Sequence, residues 1–102
     1  MRNYLFLVIL LGGCTTSIEA NPSETAITYL GLHERQNRQQ LKELLDVDPV
    51  RTEWCAAFVN AVLEIDGIPN NDDHKYPLTA RAFLDWGVSI NPQDIQPGDI
   101  VV

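Results

Sequence analysis

Apolar residues between positions 54 and 65 recur with the period of an α-helix. The residues at offsets i, i+3, i+4, i+7, i+8 and i+11 are Trp54, Ala57, Phe58, Ala61, Val62 and Ile65. An apolar face of this kind is typical of a helix that packs against a core. Thr52 is suited to the N-cap of this helix, and the sequence DGIP at 66–69 indicates its end. The segment is therefore predicted to be the core helix.

Two further helices are predicted before the core helix. The first has Asn21 as its N-cap, Pro22 at its first position and Glu24 three residues after the cap, with apolar residues up to Gly31. The second lies in the polar stretch HERQNRQQLKELL. Its apolar edge consists of Leu41, Leu44 and Leu45. We expect this helix on the surface, ending before Pro49, because proline disfavours helix in the preceding residue.

A short helix is predicted in residues 79–86, TARAFLDW. Phe83 and Leu84 are expected to face inward, and Gly87 is suited to stop the helix. Arg81 and Asp85 are four residues apart, so an ion pair between them is expected.

Strand signals appear only near the last residues. The turn sequence PGD at 97–99 leads into the β-branched run IVV at 100–102. We predict that a strand starts there. The segment VSI at 88–90 is the one other strand candidate.

The first 14 residues have the features of an export signal. A basic Met1-Arg2 start is followed by the apolar run YLFLVILL at 4–11. This run is too short to span a bilayer, because a helix that does so needs about 20 residues. The sequence LGGC at 11–14 resembles the bacterial lipobox, which implies cleavage before Cys14 and a lipid on its sulfur. A signal peptide cut elsewhere and an N-terminal apolar strand are the alternatives. By the same resemblance, Thr15 after the cysteine favours the outer membrane, with the domain facing the periplasm.

The chain is acidic, with a net charge of −7. Removal of residues 1–13 takes away Arg2 and no acidic residue, which makes the charge −8. Such a chain is repelled by phosphate backbones, and no basic patch offsets this repulsion. Nucleic acid is therefore excluded as a partner.

Cys55 lies near the start of the predicted core helix. If lipid takes Cys14, no cysteine remains to pair with it, so in an exported protein the thiol is buried, bonded to another chain or reactive. With Thr52 as cap, it would lie near unpaired backbone N–H groups that stabilise a thiolate. The alternative is a buried cysteine that packs as a small apolar residue. The pattern alone leaves both possibilities open.

The two histidines carry no predicted site. His33 is expected to be a solvated residue of the polar helix, and His74 a surface residue of the loop NNDDHKYP. The sequence DDH at 72–74 is not predicted to bind metal, because adjacent loop residues rarely converge on one ion without further ligands. We expect neither a metal nor a cofactor.

Three blocks of the sequence, in order, resemble a papain-like family of cysteine hydrolases. The blocks are EWCAAFVNAV at 53–62, LTARAFLDWG at 78–87 and QPGDIVV at 96–102. The family is related to the NlpC-type and CHAP-type peptidoglycan peptidases and amidases. The resemblance implies that Cys55 is the nucleophile and that Trp54 lines the cleft. It also implies that a histidine on a strand after residue 102 acts as base, and no residue of this sequence matches it.

The resemblance implies an α+β fold. Residues 1–13 would be a lipoprotein signal peptide, residues 14–22 a tether, and residues 23–102 a truncated papain-like domain. In this interpretation the helical portion is present, and the antiparallel sheet is largely missing because the chain stops at its first strand. The apolar face of the core helix would then be uncovered and available for association.

The function expected from these features is that of an envelope lipoprotein. It would resemble a peptidoglycan peptidase or amidase, anchored in the membrane through Cys14 and inactive alone for lack of the family histidine. The alternative is a lipoprotein without catalytic activity that binds peptidoglycan or a protein.

Overall fold

The computed structural model describes residues 21–102, in which three α-helices and two short 3-10 helices are joined by turns. The predicted signal peptide, the lipidation residue Cys14 and most of the predicted tether lie outside the described residues.

Helix α1, Pro22–Ile27, begins as the sequence predicts. Asn21 is the N-cap, and its side-chain oxygen accepts a hydrogen bond from the Ser23 N–H at 3.1 Å. The apolar stripe of this helix was predicted to continue as far as Gly31. That prediction is wrong, because the helix ends at Ile27, whose side chain is 61% exposed. The chain continues in turns to Gly31, where φ is 93°.

Helix α2, Arg38–Leu45, packs two leucines into the core. Leu41 and Leu45 are buried, which confirms the predicted apolar edge. The helix begins later than the polar stretch suggests, because the Asn37 side chain accepts a hydrogen bond from the His33 N–H at 2.9 Å and closes a turn instead. Asp46 ends the helix in the left-handed region with φ of 59°.

Helix α3, Cys55–Ile65, is the centre of the described structure. The first apolar cluster, formed by Leu41, Leu45 and Ala57, covers one side of α3. The second apolar cluster, formed by Ala56, Leu63 and Phe83, covers another. The helix is therefore buried on more sides than the sequence stripe predicts, while Ile65 at its end is 52% exposed. The apolar face expected to be uncovered is covered over most of its length.

The first 3-10 helix, Ala80–Asp85, lies where the short helix was predicted. Ala82 and Phe83 are buried, whereas Leu84, expected to face inward, is 64% exposed. A 3-10 helix has three residues per turn, so its buried face is narrow. The second 3-10 helix, Pro92–Asp94, follows, and the remaining residues up to 102 are irregular.

The predicted α+β fold class is wrong for this part of the chain. Residues 21–102 contain helices and no β-strand. A strand is stabilised by ladder hydrogen bonds to a neighbouring strand, and residues 100–102 pair with no other segment. Ile100 instead packs on the second apolar cluster, while Val101 and Val102 are 75% and 58% exposed. The other strand candidate also fails, since Val88 is 89% exposed.

An ion pair fixes the turn between α2 and α3. Arg38 Nε donates to Asp48 Oδ1 at 3.0 Å, and its Nη2 contacts the second carboxylate oxygen. The hydrogen bond from Arg38 lowers the pKa of Asp48 to about 2, helped by the Val50 N–H and opposed by partial burial. The same contact raises the pKa of Arg38.

The Asp48 ion pair predicts a defined pH dependence of stability. The folded pKa lies below the ordinary value of 3.8, so the pair stabilises the fold above that value and the contribution is lost as pH falls towards about 2. In chemical denaturation, the free energies of unfolding of wild type and Asp48→Asn should differ at neutral pH and converge across this range. Asp94→Asn, at an exposed position, is the control. If the difference in the free energy of unfolding between wild type and Asp48→Asn did not change with pH, the role of the Asp48 ion pair would be contradicted.

Candidate functional site

A groove of about 690 Å³ opens at the N-terminus of α3. One wall is the chain from 49 to 56, which includes Trp54 and Cys55, and the other is formed by residues 78–80. Glu34 also lines the groove. The groove therefore combines a thiol, an indole ring and a carboxylate from separate segments of the chain.

Cys55 is the first residue of α3, and its side chain is exposed. The first backbone hydrogen bond of the helix runs from the Phe58 N–H to the Trp54 carbonyl at 2.8 Å. The N–H groups of residues 55–57 consequently have no acceptor within the helix and give this end a partial positive charge. The thiol is not a core residue, and its role as nucleophile remains a prediction.

The start of α3 differs from the sequence expectation by two residues. Trp54 is the N-cap, with φ of −118° and ψ of 11°. Thr52, the predicted cap, instead belongs to a turn in which its N–H donates to the Asp48 carbonyl at 2.9 Å. Cys55 therefore lies closer to the helix end than the sequence suggests.

Trp54 lines the groove and also anchors it. Its Nε1–H donates to Glu34 Oε2 at 3.2 Å, and its ring meets Phe58 edge to face at 6.1 Å. The half-buried indole thus ties the segment around Glu34 to the first apolar cluster. Glu34 could not be singled out from the sequence, because it is one of many polar residues in HERQNRQQLKELL.

Asn60 holds the loop that leads to the second groove wall. Its side chain is 3% exposed; Oδ1 accepts from the Asn71 N–H at 2.8 Å, and Nδ2 donates to the Pro77 carbonyl at 3.3 Å. Pro77 precedes the wall at 78–80 directly. This residue was also missed, although a lone asparagine within the apolar run AAFVNAVL was a signal for a buried amide with fixed partners.

Neither histidine of the described chain lines the groove. His33 is exposed, and its Nδ1 accepts from the Arg35 N–H at 3.2 Å. His74 is not simply a surface loop residue, since its Nε2 lies 2.9 Å from Asp85 Oδ2 and its Nδ1 accepts from the Tyr76 N–H at 2.9 Å. Asp85 therefore contacts His74 in place of its expected partner, Arg81.

Residues 21–102 hold no group of three or more His, Cys, Asp and Glu side chains arranged to bind a metal ion. None of their helices is long and apolar enough to cross a membrane.

Comparison of the chain with protein-family models, with curated proteins and with solved structures found no match. The resemblance to cysteine hydrolases therefore rests on the three sequence blocks alone.

The buried amide of Asn60 predicts a large effect of its removal. Asn60→Ala leaves the Asn71 N–H and the Pro77 carbonyl without their partner, and each such buried group costs about 1–3 kcal/mol. We expect a loss of about 2–4 kcal/mol in the free energy of unfolding, measured by urea denaturation. The matched control is Asn91→Ala, because Asn91 is exposed and its side chain makes no cap hydrogen bond. Equal losses in the two variants would contradict the role of Asn60.

Proposed function

We propose that this protein is an envelope lipoprotein related to the cysteine peptidases and amidases that act on peptidoglycan. The observation that carries the proposal is the exposed Cys55 at the N-terminus of the buried helix α3, inside an open groove. Trp54 beside it lines the cleft. The order of the three sequence blocks supplies the substrate class.

The chemistry proposed for Cys55 is acyl transfer. The thiolate attacks an amide carbonyl carbon, and the oxyanion that forms is stabilised by backbone N–H groups at the start of α3. The C–N bond then breaks, the amine leaves with a proton from a general acid, and water hydrolyses the thioester. The thiol proton must first go to a general base within about 3 Å.

Residues 21–102 supply the nucleophile and the N–H groups but no positioned base. His74 is held by Asp85 and Tyr76, and His33 by Asn37 and Arg35. We therefore propose that residues 21–102 alone do not turn over peptidoglycan, and that turnover needs a base that these residues do not supply.

The location follows from the lipobox resemblance. Lipid on Cys14 would anchor the protein in the outer membrane, with the domain facing the periplasm and therefore the peptidoglycan layer. The acidic character of the chain agrees with a partner other than nucleic acid.

A lipoprotein that binds without catalysis is the second candidate. It is favoured by an apolar surface in the last third of the chain, where Leu84, Val88 and Val101 are 64%, 89% and 75% exposed. Contiguous apolar surface of this kind commonly marks interaction sites. This surface is not the core-helix face at which association was expected.

One experiment separates the candidates. The purified full chain and its Cys55→Ala variant are incubated with peptidoglycan, and both released amines and sedimentation with the polymer are measured. We expect no Cys55-dependent release, because neither histidine of residues 21–102 lines the groove. Release by wild type that Cys55→Ala abolishes would refute inactivity of the chain alone. Binding that Cys55→Ala leaves unchanged, with no release, would favour the second candidate, whereas weakened binding would support the Cys55 groove.

A further inference from the structure

A chain of hydrogen bonds connects His74 to the wall of the Cys55 groove. The Tyr76 N–H donates to His74 Nδ1 at 2.9 Å. The Tyr76 carbonyl in turn accepts from the Thr79 N–H at 3.1 Å and from its hydroxyl at 2.9 Å. Thr79 lines the groove directly. The position of this wall thus depends on the backbone of Tyr76, which His74 holds.

The same histidine also holds the far side of the wall. His74 Nε2 lies 2.9 Å from Asp85 Oδ2. Asp85 is the last residue of the 3-10 helix that begins at Ala80, a further residue of the groove wall. The imidazole therefore bridges both ends of residues 76–85, and its side chain is only 22% exposed.

The hydrogen bonds define the proton positions on His74. Because Nδ1 accepts the Tyr76 N–H, the neutral ring carries its proton on Nε2, which donates to Asp85. A second proton, taken from solvent, can bind only at Nδ1. With that proton, Nδ1 becomes a donor and can no longer accept the hydrogen bond from the Tyr76 N–H. The contact of Nε2 with Asp85 becomes an ion pair.

We propose that His74 is a positioning residue whose protonation loosens the wall of the Cys55 groove. When the ring is neutral, Tyr76 and Thr79 are held and the groove is narrow. When the ring is charged, it stays on Asp85 but releases the Tyr76 N–H, and Tyr76 and Thr79 move away from Cys55. The groove is thereby wider in mildly acidic solution, where histidines become charged.

Charged residues face His74 from two segments. Asp85, on the 3-10 helix, faces Nε2. Within its own loop, Asp72 and Asp73 precede it, and the Lys75 ammonium lies 5.3 Å from the centre of the Tyr76 ring. Asn60 holds the Pro77 carbonyl in both states, so Pro77 is the fixed point and the movement is confined to Tyr76 and to residues 78–80.

Thiol access provides a test that does not depend on hydrolysis. The full chain is alkylated with a small maleimide and with a bulky aromatic maleimide at pH 8 and pH 5.5, and labelling of the Cys55 peptide is quantified by mass spectrometry. Both reagents react with the same thiolate, so the ratio of the labelling rate of the bulky maleimide to that of the small one does not depend on the thiolate fraction. This ratio reports access to Cys55 alone. We expect this ratio to rise about fivefold at pH 5.5, the change that loss of one hydrogen bond produces in an opening equilibrium.

Two variants assign the effect to His74. Asn in place of histidine retains an acceptor at the Nδ1 position and cannot be protonated, so His74→Asn should keep the ratio low at both pH values. His74→Ala has no acceptor and should keep the ratio high at both. His33→Asn is the matched control, because His33 also accepts an N–H from the residue two positions later, and it should behave as wild type.

The outcomes are decisive in both directions. A wild-type ratio that does not change with pH, or a change that persists in His74→Asn, would overturn the proposal. If His74→Asn does not fold, hydrogen exchange of the Tyr76 amide in wild type is measured instead and corrected for the intrinsic rate. We expect protection of this amide to fall at pH 5.5, and unchanged protection would overturn the proposal. The proposal for His74 rests on the proposed function in one respect, which is the role of the groove around Cys55. Its test reads access only, so failure of hydrolysis and failure of the His74 mechanism are distinguishable.

Discussion

Burial of helix α3 on more than one side is the constraint on which the rest of this structure depends. Residues 21–102 form few long elements, and α3 is the only one that contacts both apolar clusters. Ala56 and Ala57, adjacent in sequence, face different clusters, and their small side chains let the neighbouring segments approach closely. Burial of apolar surface is the main favourable term in folding, so residues that cover α3 also determine where the connecting loops lie.

The groove at Cys55 is a consequence of this arrangement. Helix α2 and the turn fixed by Arg38 and Asp48 lead the chain to the start of α3 on one side. Asn60, buried within α3, fixes the loop that returns on the other. The thiol lies between them, at the helix end where N–H groups are unpaired. The same helix that stabilises the domain therefore positions the exposed Cys55 thiol.

Features encoded by neighbouring residues could be predicted from the sequence. The Asn21 cap and the leucine edge of α2 depend on local spacing, and both were confirmed. Leu84 was placed wrongly and Leu63 is absent from the predicted apolar stripe, because their burial depends on which distant segment covers each face. The β-branched residues 100–102 have strand propensity, but propensity cannot supply a partner strand. Asn60 was overlooked because its partners lie on a loop 11 to 17 residues away.

Two leucines, Leu63 and Leu84, give the most direct test. Leu63 lies off the apolar stripe but is 1% exposed, whereas Leu84, expected inward, is 64% exposed. If α3 is buried on both sides, Leu63→Ala should lower the free energy of unfolding by about 2–5 kcal/mol, and Leu84→Ala by no more than about 0.5 kcal/mol. The measurement is urea denaturation of the two variants beside wild type. A small loss for Leu63→Ala and a large one for Leu84→Ala would contradict the central position of α3.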